Sequence, residues 1–254
     1  MKRVLLFGGT AEGRRLSERW AALPGLRLTV CVATSYGREL LGGLPEGVEV
    51  LEGRKGPEEI ARLVSGGRYD AVVDATHPFA LEVSRTLRDV CGALGAPYLR
   101  LLRGENSFPG AERCVIVGNA QEACAFLAKT EGSILLTTGA KELGAFAGLP
   151  DFSGRVFARV LPFAESVERC ASLGLPRAHI LALQGPFSRN LNRALMEEYA
   201  IRWLVTKETG ETGGFPEKLL AASDCGATPV VLRRPPEDGL SYEAICAAVE
   251  EDAQ

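Results

Sequence analysis

Short runs of aliphatic and β-branched residues alternate along the chain with longer stretches in which apolar residues recur at helical spacing. In the first half, the short runs predict strands at Arg3–Phe7, Arg27–Ala33, Val48–Leu51, Ala71–Asp74 and Pro97–Leu101. The longer stretches predict helices near Ala11–Ala22, Pro57–Val64 and Ala80–Leu94. Such alternation is typical of a parallel sheet covered by helices, so we expect a flavodoxin-like or Rossmann-like unit.

The second half of the chain repeats this alternation. Strands are predicted near Cys114–Val117, Ser133–Thr137, Val156–Val160, Ile180–Ala182, Trp203–Thr206 and Pro229–Leu232. Helices are predicted near Ala120–Lys129, Ala164–Ser172, Arg189–Tyr199, Phe215–Ser223 and Tyr242–Glu250. The polar stretch from Arg103 to Gly110 is the best candidate for a domain boundary, since Gly, Asn, Ser and Pro favour turns.

These elements predict an α/β fold with two Rossmann-like domains and mainly parallel sheets. Residues 1–110 are expected to form an N-terminal dinucleotide-binding domain, and residues 111–254 a C-terminal α/β domain that completes the substrate site. We expect the cofactor and substrate in a cleft between the two. Ligands of open α/β sheets bind beyond the carboxyl ends of the strands, so the residues that follow each strand are the candidates.

Charge excludes some classes of partner. The net charge is −3 and the pI is near 5.6, which argues against a nucleic-acid or anionic-membrane binder because both need a basic field. The apolar run Val4–Gly9 is too short for a signal peptide or a membrane span. We therefore expect a cytoplasmic protein.

The cysteines and histidines point away from metal chemistry. None of the seven cysteines forms a C-x-x-C pair, and most lie in apolar stretches, which indicates reduced core thiols. His77 and His179 are the only histidines, and no Cys/His grouping has metal-ligand spacing. No metal site is expected.

Two stretches in the first half are candidates for holding a dinucleotide. Gly8-Gly9-Thr10-Ala11-Glu12-Gly13 lies where the first strand turns into a helix, so backbone N–H groups and the helix dipole would attract a pyrophosphate. Arg14-Arg15 follows it in place of the Lys-[Ser/Thr] of a nucleoside triphosphatase loop. After the second strand, Thr34, Ser35 and Arg38 stand where an acidic residue usually holds a ribose 2′-hydroxyl, which favours NADPH. The alternatives are a plain tight turn and a solvated loop.

Two further strand ends carry polar groups. Asp74-Ala75-Thr76-His77-Pro78-Phe79-Ala80 puts a carboxylate, a hydroxyl and an imidazole at the sheet edge, where they would face a nicotinamide. The alternative is that Asp74 and Thr76 satisfy backbone donors while His77 is a packed side chain. Thr206-Lys207-Glu208-Thr209-Gly210 and the glycines that follow it form a second candidate anion cradle at a helix N-terminus, unless that loop is simply solvated.

Taken in order, these motifs together with Gly185-Pro186-Phe187-Ser188 resemble the precorrin-6A reductase family, over a span from Arg3 to about Pro235. The resemblance implies a two-domain oxidoreductase that uses NADPH, or NADH in some members. Its reaction would reduce one ring double bond of the tetrapyrrole precorrin-6A, or of its cobalt complex, to the 6B form in cobalamin biosynthesis.

The resemblance also implies roles for single residues. Gly8–Gly13 would hold the pyrophosphate, and Arg38 the adenosine-ribose end. Thr76 and His77 would line the nicotinamide side, and Lys207 through Gly210, including Glu208 and Thr209, would contribute to substrate binding. The carboxylates of the macrocycle call for cations, for which the candidates are Arg100, Arg103, Lys141, Arg159, Lys207 and Lys218.

Hydride transfer also needs a proton. His77 is the only imidazole at a predicted strand end, and an unperturbed imidazole titrates near neutral pH, which makes His77 the candidate proton donor.

Other functions remain to be weighed. A short-chain dehydrogenase needs Tyr followed four residues later by Lys, and none of the five tyrosines meets this. A non-catalytic dinucleotide sensor and another NAD(P)-dependent reductase of a polyanionic substrate stay open. The sequence leaves the oligomeric state undecided.

Overall fold

The computed structural model describes residues 1–45, 47–102, 111–209, 214–234, 236 and 238–251. The chain divides into two compact units, Met1–Glu105 together with Pro236–Gln254, and Asn106–Pro235. Each unit contains one parallel sheet, which confirms the α/β class. The last segment of the chain belongs to the first unit, so the expected assignment of residues 111–254 to a single domain is wrong for that segment.

The first unit is a Rossmann-like sheet with helices on both faces. Its strands are β1 Lys2–Phe7, β2 Leu26–Val32, β3 Glu49–Glu52, β4 Ala71–Asp74 and β5 Tyr98–Arg100. Its helices up to this point are α1 Ala11–Ala21, α2 Ser35–Glu39, α3 Pro57–Gly67 and α4 Leu81–Leu94. The strand order β3-β2-β1-β4-β5 is that of the Rossmann fold rather than the flavodoxin fold.

The core of this unit follows from the continuous apolar runs of its central strands. Val4 and Leu6 of β1 pack on one face against Trp20 of α1, whereas Leu5 of β1 packs on the other face against Leu87 of α4. Parallel strands read as unbroken apolar runs because helices cover both faces. The sheet is thus fixed from both sides, and its carboxyl edge is left to carry polar residues.

The second unit is a larger parallel sheet. Its strands are β6 Val115–Val117, β7 Ser133–Leu136, β8 Val156–Val160, β9 Ile180–Ala182, β10 Ile201–Lys207 and β11 Thr228–Leu232. Its helices are α5 Ala120–Leu127, α6 Phe152–Arg155, α7 Ala164–Ser172, α8 Arg189–Glu198 and α9 Phe215–Cys225. The strand order is β6-β11-β10-β7-β8-β9, so β10, β7 and β8 lie side by side in the middle of the sheet.

The last helix, α10 Tyr242–Glu250, packs in the first unit. Ile245 and Val249 are fully buried in the cluster that contains Trp20. The indole Nε1 of Trp20 donates to Glu250 at 3.1 Å, and Arg19 donates to the same carboxylate through Nη2 at 2.7 Å. A buried apolar face and a shared carboxylate explain why this segment belongs with the first sheet.

Each predicted strand is present among the described residues, with ends that differ by two residues or fewer. The helix α2 was not among the predicted helices. It forms because Thr34 caps it, with the Gly37 backbone N–H donating to Thr34 Oγ1 at 3.1 Å. Over the residues that can be described, no helix is long and apolar enough to cross a membrane.

Candidate functional site

The turn between β1 and α1 is built by one hydroxyl and two glycines. Thr10 caps α1 by accepting from the Gly13 N–H at 3.1 Å, and its Oγ1 donates to the carbonyl oxygen of Ala75 at 2.9 Å. Gly9 has a φ of +119°, which a side chain rarely adopts. A Cβ on Gly13 would lie 3.3 Å from the Cα of Gly8, so glycine is needed for the helix to approach the strand. The backbone N–H groups of Ala11 and Glu12, in the first turn of α1, therefore lie directly beyond β1. An anion is favoured at such a helix N-terminus.

A cavity of about 230 Å³ lies between this turn and the turn after β2. Gly8, Gly9, Thr10 and Gly13 line it from the first turn. The remaining lining residues, from α1, β2 and the second turn, are Arg14, Ser17, Val30, Val32, Ala33, Thr34, Tyr36, Gly37, Leu40 and Leu41. Apolar walls with a few hydroxyls and one guanidinium suit a base and a ribose, and the lining contains no carboxylate.

The predicted residues of the second turn divide into two groups. Thr34 lines the cavity, whereas Ser35 and Arg38 lie outside its lining. The Arg38 side chain is 58% exposed, with its Nη1 3.9 Å from Glu52 Oε2. Sequence reasoning missed Arg14, which lines the cavity from the first turn of α1. Its position four residues after the Thr10 cap was the signal that could have found it.

Asp74, the last residue of β4, is fully buried and accepts four hydrogen bonds. Its Oδ1 accepts from Arg100 Nη1 at 2.7 Å, from the Thr76 N–H at 3.0 Å and from Thr76 Oγ1 at 2.7 Å. Its Oδ2 accepts from the Tyr98 hydroxyl at 2.9 Å. Burial, with the adjacent Asp74 charge, raises the pKa of Tyr98, so this hydroxyl remains a donor at physiological pH. The carboxylate therefore fixes the turn that carries Thr76 and His77.

The prediction that Arg100 binds substrate is wrong for the structure described. Arg100 is 3% exposed, and register places it directly opposite Asp74 on the neighbouring strand. Its Nη1 also donates to the carbonyl oxygen of Thr76 at 3.2 Å. The guanidinium is thus held inside the unit as the counter-ion of Asp74, and it acts on the site by positioning the Thr76 turn.

His77 is half-buried beside this network. Its Nδ1 accepts from the Phe79 N–H at 3.3 Å, and its ring lies 5.7 Å from the ring of Phe79. An acceptor at Nδ1 places the proton of a neutral imidazole on Nε2.

The second unit places its predicted residues at the carboxyl ends of β7 and β10. Lys141 is exposed, whereas Lys207 Nζ pairs with Glu142 Oε1 at 3.1 Å. Glu208 Oε2 accepts from the Arg234 N–H at 3.2 Å, and Thr209 is partly buried. Lys207 and Glu208 are thus engaged by residues of their own unit. Arg103 and Gly210 lie outside the described residues.

Two further cations lie deeper at this edge. Arg159 of β8 donates through Nη1 to Asn192 Oδ1 at 2.8 Å, and its guanidinium lies 4.1 Å from the centre of the Phe187 ring. Lys218 of α9 donates to Thr206 Oγ1 at 3.1 Å. Arg159 and Lys218 are each 7% exposed. Asn192 and Phe187 connect this pair to the Gly185–Ser188 motif.

Within the described ranges, the side chains of His, Cys, Asp and Glu form no group that could hold a metal ion. The cysteines are free thiols, and burial raises their pKa, as for Cys31 to about 12. Such thiols are poor metal ligands and poor nucleophiles.

The model of the family described as "Precorrin-6x reductase CbiJ/CobK" matches residues 3–252. The chain belongs to this family. It is 33% identical over 250 residues to the cobalt-precorrin-6A reductase of Priestia megaterium, a match that covers 98% of this chain and 95% of the relative. It is 35% identical over 237 residues to the precorrin-6A reductase of Mycobacterium tuberculosis, covering 92% and 90%.

A solved structure described as "CobK precorrin-6A reductase" has the same fold. It superposes with a TM-score of 0.78 at 23% identity and covers 100% of this chain and 98% of the other. The fold of this chain is therefore one already seen in a solved structure.

Removing the counter-ion of Asp74 tests the first-unit network. We expect Arg100→Met to lower the free energy of unfolding of this unit by about 3–5 kcal/mol, because a buried carboxylate loses its cation. Urea unfolding followed by Trp20 fluorescence in a Trp203→Phe background measures it, since each unit holds one of the two tryptophans.

The exposed Arg85 on α4 supplies the control Arg85→Met, which should change the free energy little. Adding Asp74→Asn to Arg100→Met should recover part of the loss. A loss below about 1 kcal/mol for Arg100→Met would show that the ion pair does not hold this turn.

Proposed function

We propose that the chain reduces a ring double bond of precorrin-6A, or of its cobalt complex, by hydride transfer from a nicotinamide cofactor to give the 6B form. The observation that carries the proposal is a glycine-rich turn beside a cavity of about 230 Å³, in a chain that matches relatives named for this reaction over almost its whole length. A non-catalytic sensor would also use that cavity. The full-length likeness to reductases favours the enzyme.

The residues of the first unit fit a dinucleotide. The glycine turn would hold the pyrophosphate through backbone N–H groups at the N-terminus of α1, and the cavity would hold the adenosine. A cavity that lacks a carboxylate, with Arg14 in its wall and Arg38 beside it, favours the 2′-phosphate of NADPH over the 2′-hydroxyl of NADH.

The bound nicotinamide supplies the hydride, and this chain supplies position, a proton and charge. Thr76 and His77 would line the nicotinamide end from the turn after β4, held by Asp74. His77 would donate the proton from Nε2 of its protonated imidazole. The polar rim of the tetrapyrrole would contact Lys141 and Lys207, together with Glu208 and Thr209. Arg103 and Gly210, which lie outside the described residues, would contribute to the same rim.

We place the enzyme in the cytoplasm, in keeping with free thiols at all seven cysteines. Its acidic net charge disfavours nucleic-acid partners.

The test of the function is a direct assay. Purified protein with NADPH or NADH is given precorrin-6A or its cobalt complex while absorbance at the nicotinamide band is followed. We expect cofactor oxidation that depends on the tetrapyrrole. Nucleotide binding without oxidation of either cofactor by either tetrapyrrole would instead favour the sensor.

Cofactor choice can be tested at Arg38. Arg38→Ala should weaken NADPH binding about 10-fold, because one phosphate–guanidinium contact is lost, and should leave NADH binding nearly unchanged. Fluorescence titration with each nucleotide measures this. Arg62→Ala, an exposed arginine on α3, is the control. An unchanged ratio of the two affinities would remove Arg38 from the 2′-phosphate site.

The proton donor can be tested at His77. His77→Ala should lower kcat by about 100-fold while NADPH binding stays close to that of the parent, because a general acid acts in the transition state. The pH profile of kcat should also change, because the variant has lost the group that gives the proton. An unchanged turnover number would take His77 out of the mechanism.

A further inference from the structure

The second unit buries two cations for which hydride transfer itself has no use. Arg159 and Lys218 are both more than nine-tenths buried. Arg159 is the penultimate residue of β8, and Lys218 lies in the first turn of α9 beside Thr206, the penultimate residue of β10. Both cations are therefore near the carboxyl edge of the sheet, where open α/β proteins bind ligands.

Neither cation forms an ion pair within the part of the chain that the structure describes. Arg159 makes one hydrogen bond, from Nη1 to Asn192, and among the described residues its Nε and Nη2 have no acceptor. Phe187 covers the flat face of the guanidinium, so its ring does not block the edge of the guanidinium that carries Nε and Nη2. Lys218 makes one hydrogen bond, to Thr206, and so retains further N–H donors.

The two charges act on each other. Burial, and after it repulsion by Arg159, lowers the pKa of Lys218 to about 7, and attraction by Glu217 opposes this more weakly. Burial also lowers the pKa of Arg159 to about 10. Buried charges are ordinarily paired, because an unpaired one is costly to remove from water. Arg159 and Lys218 are thus two buried cations near one edge of the same sheet, one on β8 and the other beside β10, the strands on either side of β7, and an anion between them would compensate both charges.

We propose that Arg159 and Lys218 bind one carboxylate of the tetrapyrrole substrate, an inference that rests on the proposed function. Nε and Nη2 of an arginine form the fork that matches the two oxygens of a carboxylate. Asn192 holds the guanidinium by Nη1 and is itself fixed, because its Nδ2 donates to the carbonyl oxygens of Phe187 and Ser188 at 3.3 and 2.9 Å. The Gly185–Ser188 motif thus orients the arginine.

The site couples anion binding to proton uptake. At pH 8, Lys218 in the empty site is mostly neutral. A carboxylate beside it favours the charged form, so binding takes up close to one proton from the solvent. A lysine that serves only to support α9 would not show this signature.

Calorimetric titration with precorrin-6A at pH 8, without nucleotide, tests the proposal. The titration is run in Tris and in Hepes, whose ionisation enthalpies differ, so the difference in binding enthalpy gives the number of protons taken up. We expect close to one proton for the parent protein and none for Lys218→Met, with affinity reduced at least 10-fold. Lys218→Met should leave Tm at pH 8 close to that of the parent, because the lysine of the empty site is already mostly neutral there.

Matched variants distinguish binding at this site from the general effect of removing a positive charge. Lys129→Met removes an exposed lysine of the same unit and should bind precorrin-6A as the parent does. Arg159→Met should weaken binding by a similar factor to Lys218→Met. Unchanged affinity and proton uptake in Lys218→Met, or a lower Tm without loss of binding, would overturn the proposal.

A parallel titration with NADP⁺ distinguishes the source of the anion. NADP⁺ affinity should be the same in the parent and in Lys218→Met. A loss of NADP⁺ affinity with precorrin-6A affinity retained would assign the site to a cofactor phosphate and overturn the assignment to substrate. The proposed function would be rejected if neither NADPH nor NADH were oxidised by either tetrapyrrole. Because binding is measured directly, these titrations would still decide the site.

Discussion

The buried charge of Asp74 is the constraint on which the first unit depends. A carboxylate with no exposed surface is tolerated only when hydrogen bonds and a counter-ion replace the water it has lost. Arg100 supplies the cation because the register of β4 with β5 sets it opposite Asp74. Thr76 supplies two of the donors, so the same carboxylate fixes the turn that leads to His77. The pairing of β4 with β5 and the shape of the candidate site therefore depend on the same interaction.

The two units use buried arginine in opposite ways at the same kind of sheet edge. Arg100 has its carboxylate within the unit, 2.7 Å away, and is structural. Arg159, also near the end of a strand, contacts an amide oxygen and an aromatic ring among the described residues. The amide accepts a hydrogen bond without cancelling the charge. The field of Arg159 is therefore still available to a ligand, and after burial it is the second cause of the lowered pKa of Lys218.

Sequence patterns predicted the strands well because parallel strands buried on both faces are unbroken apolar runs. They failed where the deciding contact is distant along the chain. The pairing of Arg100 with Asp74 depends on register, which periodicity does not encode, so a buried counter-ion was expected to bind substrate. The place of α10 depends on contacts with Trp20, 230 residues away. The helix α2 is five residues long, and its cap was the only local signal.

The charges of the second unit suggest a division of tasks in binding a polycarboxylate. An exposed cation such as Lys141 interacts weakly with any one carboxylate but attracts anions from solution. Arg159 and Lys218 lie where water screens little, so the same Coulomb attraction is stronger there and depends on geometry. Only a carboxylate that reaches both cations gains this energy. Capture and orientation of the macrocycle would thus rest on different residues.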